Sequence, residues 1–192
     1  MAQANCFCFQ LTEEFLRAAY FKGGECLHAS VHDVRGVADE EIAKIFKNLT
    51  GQLRLKKNLP VILVIAPGAT TNKNIEIPSV DREEIKSIIN LQAGRHTPYS
   101  REEILVDYIN IGVFQRNYSK VLLVIINRNI IKKPLSLLTQ ANLKLNQVLF
   151  APEAIAHFYT GAFHLEKSAA PTGIIDIANT STDFIIIFQG AA

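Results

Sequence analysis

The sequence predicts an α/β fold, and three patterns carry that expectation. Residues 60–66 form a short continuous apolar run, which suits a strand buried on both faces. Before it, from about Asp39, Ile42, Ile45, Phe46, Leu49 and Leu53 recur at helical spacing as one apolar stripe. Three short strand-like segments precede that helix. Strands, a helix and then a buried strand point to a layered α/β architecture.

Taken in order, residues 5–11, 15–21 and 26–34 read as strands. They are joined by hairpin connections at 11–14 and 22–25, the latter with Gly23 and Gly24. Gly51 falls inside the helical stripe and weakens its last turn. Pro67 and Gly68 end the apolar run. Residues 74–77 read as a short strand. Asp81, Arg82, Glu83 and Glu84 then open a helix with capping-box spacing, and Ile85, Ile88 and Ile89 give its stripe. Ser100 and Glu103 repeat that spacing. The segment 104–112 that follows alternates as a strand does, with Ile104, Val106 and Tyr108 on one side. Residues 121–126 are another buried strand. Residues 131–145 read as a helix with Pro134 in its first turn, where proline is tolerated. A strand at 143–149 follows, then a helix opened by Pro152, with Ile155, Phe158, Tyr159 and Ala162 on its apolar face. Residues 173–178 and 183–188 are two last strands around a turn at 179–182.

The chain has 192 residues, 48% of them apolar, so a sizeable core is expected and global disorder is excluded. Lys and Arg total 20 against 18 Asp and Glu, a net charge of +2, which argues against a dedicated nucleic-acid binder. Cys6, Cys8 and Cys26 are odd in number and lack a second metal-spaced pair, so they read as buried thiols in a reducing compartment. The N-terminus has no signal-peptide pattern. No apolar run approaches the ~18 residues that span a bilayer, so direct membrane insertion is not expected.

No P-loop, Rossmann glycine fingerprint or nucleophile elbow is present. His28 and His32 fall on one strand face, but no carboxylate or cysteine completes a metal set, so no metal site is expected. His96, His157 and His164 read as surface or packing residues. The most chemical-looking segment is 173–187: an apolar strand, Asp176, a small polar turn, then a second apolar strand. Backbone N–H groups and hydroxyls of such a hairpin can face a phosphate while the Asp holds a metal or water. The same Asn, Ser and Thr residues are also ordinary turn formers.

Several segments in order resemble the PilM family of type IV pilus assembly proteins. They are the apolar strand ending at Gly68, then Ile77 and Pro78, the acidic helix start at Asp81, and the string from Thr97 and Pro98 to Asp107 and Tyr108. Residues 141–156 and the hairpin from Asp176 to Thr182 continue the likeness. Coverage runs from about residue 60 to the end, with the first 60 residues matching in strand order only.

The resemblance implies an actin-like (ribonuclease H-like) N-terminal lobe with an inserted small α+β subdomain. Residues 1–66 would form the first part of subdomain 1A and 69–146 the inserted subdomain 1C. Residues 147–171 would return to 1A, and 172–192 would begin a truncated subdomain 2A. The length is then about half of a PilM-like protein. The family's role is scaffolding: it holds the cytoplasmic tail of PilN, a bitopic inner-membrane protein, in a groove between 1A and 1C. That implies a cytoplasmic protein, peripheral at the inner membrane through its partner. Other pilus or secretion platform proteins are further expected partners, and nucleic acid is not.

Asp176, Asn179, Thr180 and Thr182 would be a remnant of the family's second phosphate loop, with Ala178 in place of its glycine. The first loop is replaced by residues 8–13, where Glu13 and Glu14 put negative charge at the phosphate position. No enzyme activity and no cofactor are therefore expected, with ATP conceivable only in a longer form. Two relatives compete within this reading. One is the cytoplasmic domain of GspL, which contacts a secretion ATPase. The other is a nucleotide switch of the FtsA kind, which needs both phosphate loops. The β-branched edge at 184–188 also makes a homodimer an expectation.

Overall fold

The computed structural model describes residues 5–114, 116–163, 170–177 and 181–187. The chain divides into two compact units, Met1–Ala66 with Ile130–Phe150, and Pro67–Asn129 with Ala151–Ala192. The compact units place residues 130–150 beside the first 66, because the strand at 145–150 hydrogen-bonds to the strand at 61–65. They also group residues 151–163 with the last two strands.

The first unit is built on a five-stranded sheet. Its strands are β1 (Cys6–Leu11), β2 (Phe15–Lys22), β3 (Glu25–Asp33), β4 (Val61–Ile65) and β8 (Leu145–Phe150), in the order β3-β2-β1-β4-β8. β2 runs antiparallel to β1 and β3, while β1, β4 and β8 are parallel. The β2–β3 turn puts Gly23 and Gly24 at φ 62° and 87°, the positive values a two-residue hairpin turn demands. Phe7 and Phe9 point to one face and are fully buried. There they meet Phe46 of helix α1 (Asp39–Gln52), with ring centroids 6.0 and 5.1 Å away. Edge and tilted ring pairs of this kind add stabilisation beyond the area they bury.

β4 is buried on one face only, and Ile62 and Val64 on its other face are half-buried. The continuous apolar run therefore overstates its burial. This second face also carries Cys8, Gln10, Arg17 and Ala19, and it borders a cavity of about 460 Å³.

Helix α3 (Arg128–Gln140) starts three residues before its expected position, because Asn127 accepts the Asn129 N–H at 2.8 Å and caps it. Pro134 consequently lies inside the helix, where the Ile130 carbonyl loses its usual donor. Both α1 and α3 end in the same closing motif. After α1, Arg54 N–H bonds to Gly51 O and Leu55 N–H to Thr50 O, with Arg54 at φ 49°. After α3, Asn142 N–H bonds to Thr139 O and Leu143 N–H to Leu138 O, with Asn142 at φ 54°.

In the second unit, β5 (Thr71–Ile77), β6 (Ile104–Phe114) and β7 (Tyr118–Asn127) form an antiparallel sheet with β7 in the centre. Val121, Leu123 and Ile125 of β7 pack with Ile77, Ile104 and, on helix α2 (Arg82–Gln92), Ile85 and Ile89. β7 alternates as far as Ile125, so it too is buried mainly on one face, with Ile126 alone buried on the other. The cap of α2 is a relay. Asp81 accepts the N–H groups of Glu83 and Glu84 at 3.0 and 2.9 Å. Glu84 does not reach back to Asp81. It accepts from Ser79 Oγ at 2.5 Å, and Ser79 Oγ accepts the Asp81 N–H at 3.0 Å. The second box spacing, Ser100 with Glu103, closes a single 3₁₀ turn ahead of β6. Helix α4 (Ala151–Phe163) and the hairpin of β9 (Thr172–Ile177) and β10 (Thr182–Ile187) complete the described part of this unit.

Candidate functional site

The hairpin holding the expected phosphate-loop remnant is antiparallel, and its register sets the chemistry. Asp176 stands opposite Asp183, and Thr182 opposite Ile177. Asn179, Thr180 and Ala178 lie outside the described residues. Ile174, Asp176, Asp183, Ile185 and Ile187 share one face, on which Ile185 and Ile187 are buried with Ala156 of α4 and pack against Ile155 and Tyr159. Burial at the edge of this packing pushes the Asp183 carboxyl above its ordinary value, and the Asp176 charge adds to it. A phosphate arriving on this face would meet two carboxylates, which repel it; a cation would be favoured. Among the described residues no group of three His, Cys, Asp or Glu could hold a metal ion. Asp183 escapes motif reading because its partner is set by cross-strand register.

The opposite hairpin face is apolar and open. Ile175, Ile177, Phe184 and Ile186 are each more than half exposed. The Phe184 ring lies over Gly173, where an added Cβ would come within 3.2 Å of it.

The segment standing where a first phosphate loop would be is a closed turn. Thr12 Oγ1 accepts the N–H groups of Glu14 and Phe15 at 3.3 and 3.0 Å, and Thr12 N–H bonds to Phe15 O at 2.9 Å. Three backbone donors that could face an anion are thereby engaged inside the turn.

The thiols divide. Cys6 and Cys8 are half-buried on one strand face with their sulfurs 3.8 Å apart. Burial and the neighbouring Cys6 push the Cys8 thiol up to about 12, so it is neither a nucleophile nor a ready metal ligand. Cys26 is exposed rather than buried, because it sits where β3 begins, at the edge of the sheet. His28 and His32 do share a face of β3, each with a buried Nε2 that has no partner among the described residues. His157 lies 3.8 Å from Glu153 on α4, and His164 is outside the described residues. Arg17 beside the cavity is already bonded to Gln10 at 2.7 Å and lies over the Phe15 ring.

The family described as type IV pilus assembly protein PilM matches residues 20–192. The chain belongs to the PilM family. The match takes in the string from Thr97 to Tyr108 and the β9–β10 hairpin. No curated protein matches in sequence. Among solved structures, a chain of a PilM–PilN type IV pilus biogenesis complex aligns with a TM-score of 0.81 at 15% identity, over 98% of this chain and 60% of that one. This PilM-family chain thus spans about 60% of the length of that relative. The cytoplasmic domain of EpsL, an inner-membrane component of the type II secretion system of Vibrio cholerae, aligns at 0.61 and 11% identity, over 96% and 71%. A Bacteroides thetaiotaomicron protein with an actin-like ATPase fold aligns at 0.53 and 12% identity, over 99% and 68%. The fold is therefore actin-like, as the resemblance implied. No helix among the described residues is long and apolar enough to cross a membrane.

Proposed function

We propose that this chain is a scaffold of a type IV pilus assembly platform that holds the cytoplasmic tail of a PilN-like bitopic inner-membrane protein. It works in the cytoplasm and reaches the membrane through that partner. The family match over residues 20–192 carries this reading. The fold shared with a chain of a PilM–PilN type IV pilus biogenesis complex supports the choice of partner.

The scaffold acts without nucleotide chemistry in this reading. Thr12 occupies turn donors that a phosphate would need, and the Asp176–Asp183 pair presents negative charge at the second loop. A second reading, favoured by the likeness to EpsL, is an adaptor of a type II secretion machine.

Calorimetric titration with a synthetic peptide of the PilN-like protein's cytoplasmic tail tests the proposal. Saturable binding that a scrambled peptide lacks is the expected result, together with no heat on adding Mg-ATP. Failure of the tail to bind, with binding of a secretion ATPase instead, would replace the first reading by the second. Micromolar binding of Mg-ATP would sink the nucleotide-free claim.

A further inference from the structure

The two ends of the five-stranded sheet treat their charges differently. Because β1, β3, β4 and β8 all start at one end, where β2 finishes, three loops converge there. They are the β2–β3 turn, the α1–β4 loop and the α3–β8 loop. Together they present Lys22, Arg54, Lys56, Lys57 and Lys144, all exposed, with Glu25 as the loops' single carboxylate. Among the described residues none of these five cations is in an ion pair, whereas toward the other end of the sheet three cations are paired. There Lys133 meets Asp39 at 2.6 Å, Lys44 meets Glu41 at 2.5 Å, and Arg35 is paired with Asp33. Unpaired like charges gathered on one surface repel each other and raise the local potential for anions.

We propose that this strand-start end is a docking surface for an anionic phospholipid bilayer, contacted directly and without insertion. Three features favour a bilayer over other polyanions. Four of the five cations are lysines, flexible point charges suited to a fluid field of phosphates rather than to one fixed carboxylate. The backbone here is already engaged: Gly23 N–H bonds to Asn5 Oδ1, Val61 N–H to Asn146 Oδ1, and Phe7 N–H to Pro60 O. An extended acidic peptide therefore finds few backbone groups to pair with. No aromatic residue occurs in 22–25, 53–60 or 141–144, so no base-stacking platform for RNA exists in these loops. Leu27, more than half exposed near the start of β3, adds an apolar contact at headgroup depth.

Arg54 sharpens the inference. It holds the left-handed position that closes α1, where glycine, and after it asparagine, is preferred and an arginine is strained. A long cation stands at a site whose conformation disfavours it.

Vesicle co-sedimentation without any protein partner provides the test, so its failure leaves the PilN-tail proposal standing. The chain should bind phosphatidylglycerol-containing vesicles, ignore pure phosphatidylcholine, and release at about 0.5 M salt, where screening is short-ranged. Each Lys or Arg near such a surface contributes about fivefold. Arg54→Gly should thus bind about fivefold more weakly while melting at a higher temperature, which separates binding from folding. Lys56→Glu with Lys57→Glu should weaken binding by roughly 100-fold or more. Lys73→Glu with Lys86→Glu, the same charge change placed elsewhere, should cost far less. No binding to anionic vesicles, equal losses from both double variants, or preference for single-stranded RNA over vesicles would each overturn the proposal.

Discussion

The five-stranded sheet and the β9–β10 ribbon are written in similar letters and end in different states. In the first, Phe7 and Phe9 on one face close against Phe46, while the other face mixes Cys8, Gln10, Arg17 and Ala19. In the second, both faces carry apolar residues, with Asp176 and Asp183 at one end of the inner one. Ile185 and Ile187 are buried near Ala156, yet Ile175, Ile177, Phe184 and Ile186 stand open on the other side. Apolar residues in a strand therefore do not determine burial by themselves. What decides it is whether an element of matching length and stripe lies across that face.

Truncating the two phenylalanines gives the largest test of that contrast. Phe46→Ala removes the ring that both β1 aromatics contact, and it should lower unfolding free energy by about 3–5 kcal/mol in urea denaturation. Phe184→Thr, on the open ribbon face, should change it by less than about 0.5 kcal/mol. Equal losses at both positions would mean that the ribbon's outer face is covered in solution.

Smaller in size is the effect of removing a cap. Asp81→Ala deletes the acceptor for two α2 donors and should cost about 1 kcal/mol. Because Ser79 links Asp81 to Glu84, Ser79→Ala should cost a comparable amount, and the double variant less than the sum. Strict additivity would break the relay description.

The outline of both units was legible in the sequence because it rests on local patterns. The α1 stripe, the alternation in β6 and the acidic start of α2 each depend on residues a few positions apart. Faces and ends were not legible, since they depend on what topology brings together. Val61–Ile65 looked buried on both sides because an apolar run carries no record of which face a helix covers. Pro134 looked like a first-turn proline because the cap at Asn127 sits outside the apolar stripe. The basic end joins Lys22 to Lys144, residues far apart in the chain that meet only through the strand order. At the candidate phosphate loop, Asp176 was found by motif, but Asp183 required the register.

That register leads to the smallest predicted effect. Asp183 is held above its ordinary value by burial and by Asp176, so the folded chain binds its proton more tightly than the unfolded chain does. The contribution is then present at acid pH and is lost as pH rises from the usual carboxylate range through the raised value. Asp183→Asn removes the penalty and should stabilise the fold at neutral pH by about 0.2–1 kcal/mol, the scale of cross-strand pairs, and flatten the pH dependence there. Asp33 behaves oppositely and serves as the internal control. Arg35 holds it down to about 2, so its contribution is present above the usual carboxylate range and fades as pH falls toward that value. Denaturation curves collected across the acid range should therefore show Asp183→Asn gaining on the parent as pH rises. A parent and variant that keep a constant difference at every pH would show that the two carboxylates do not sense each other, and that the ribbon's inner face is as well solvated as its outer one.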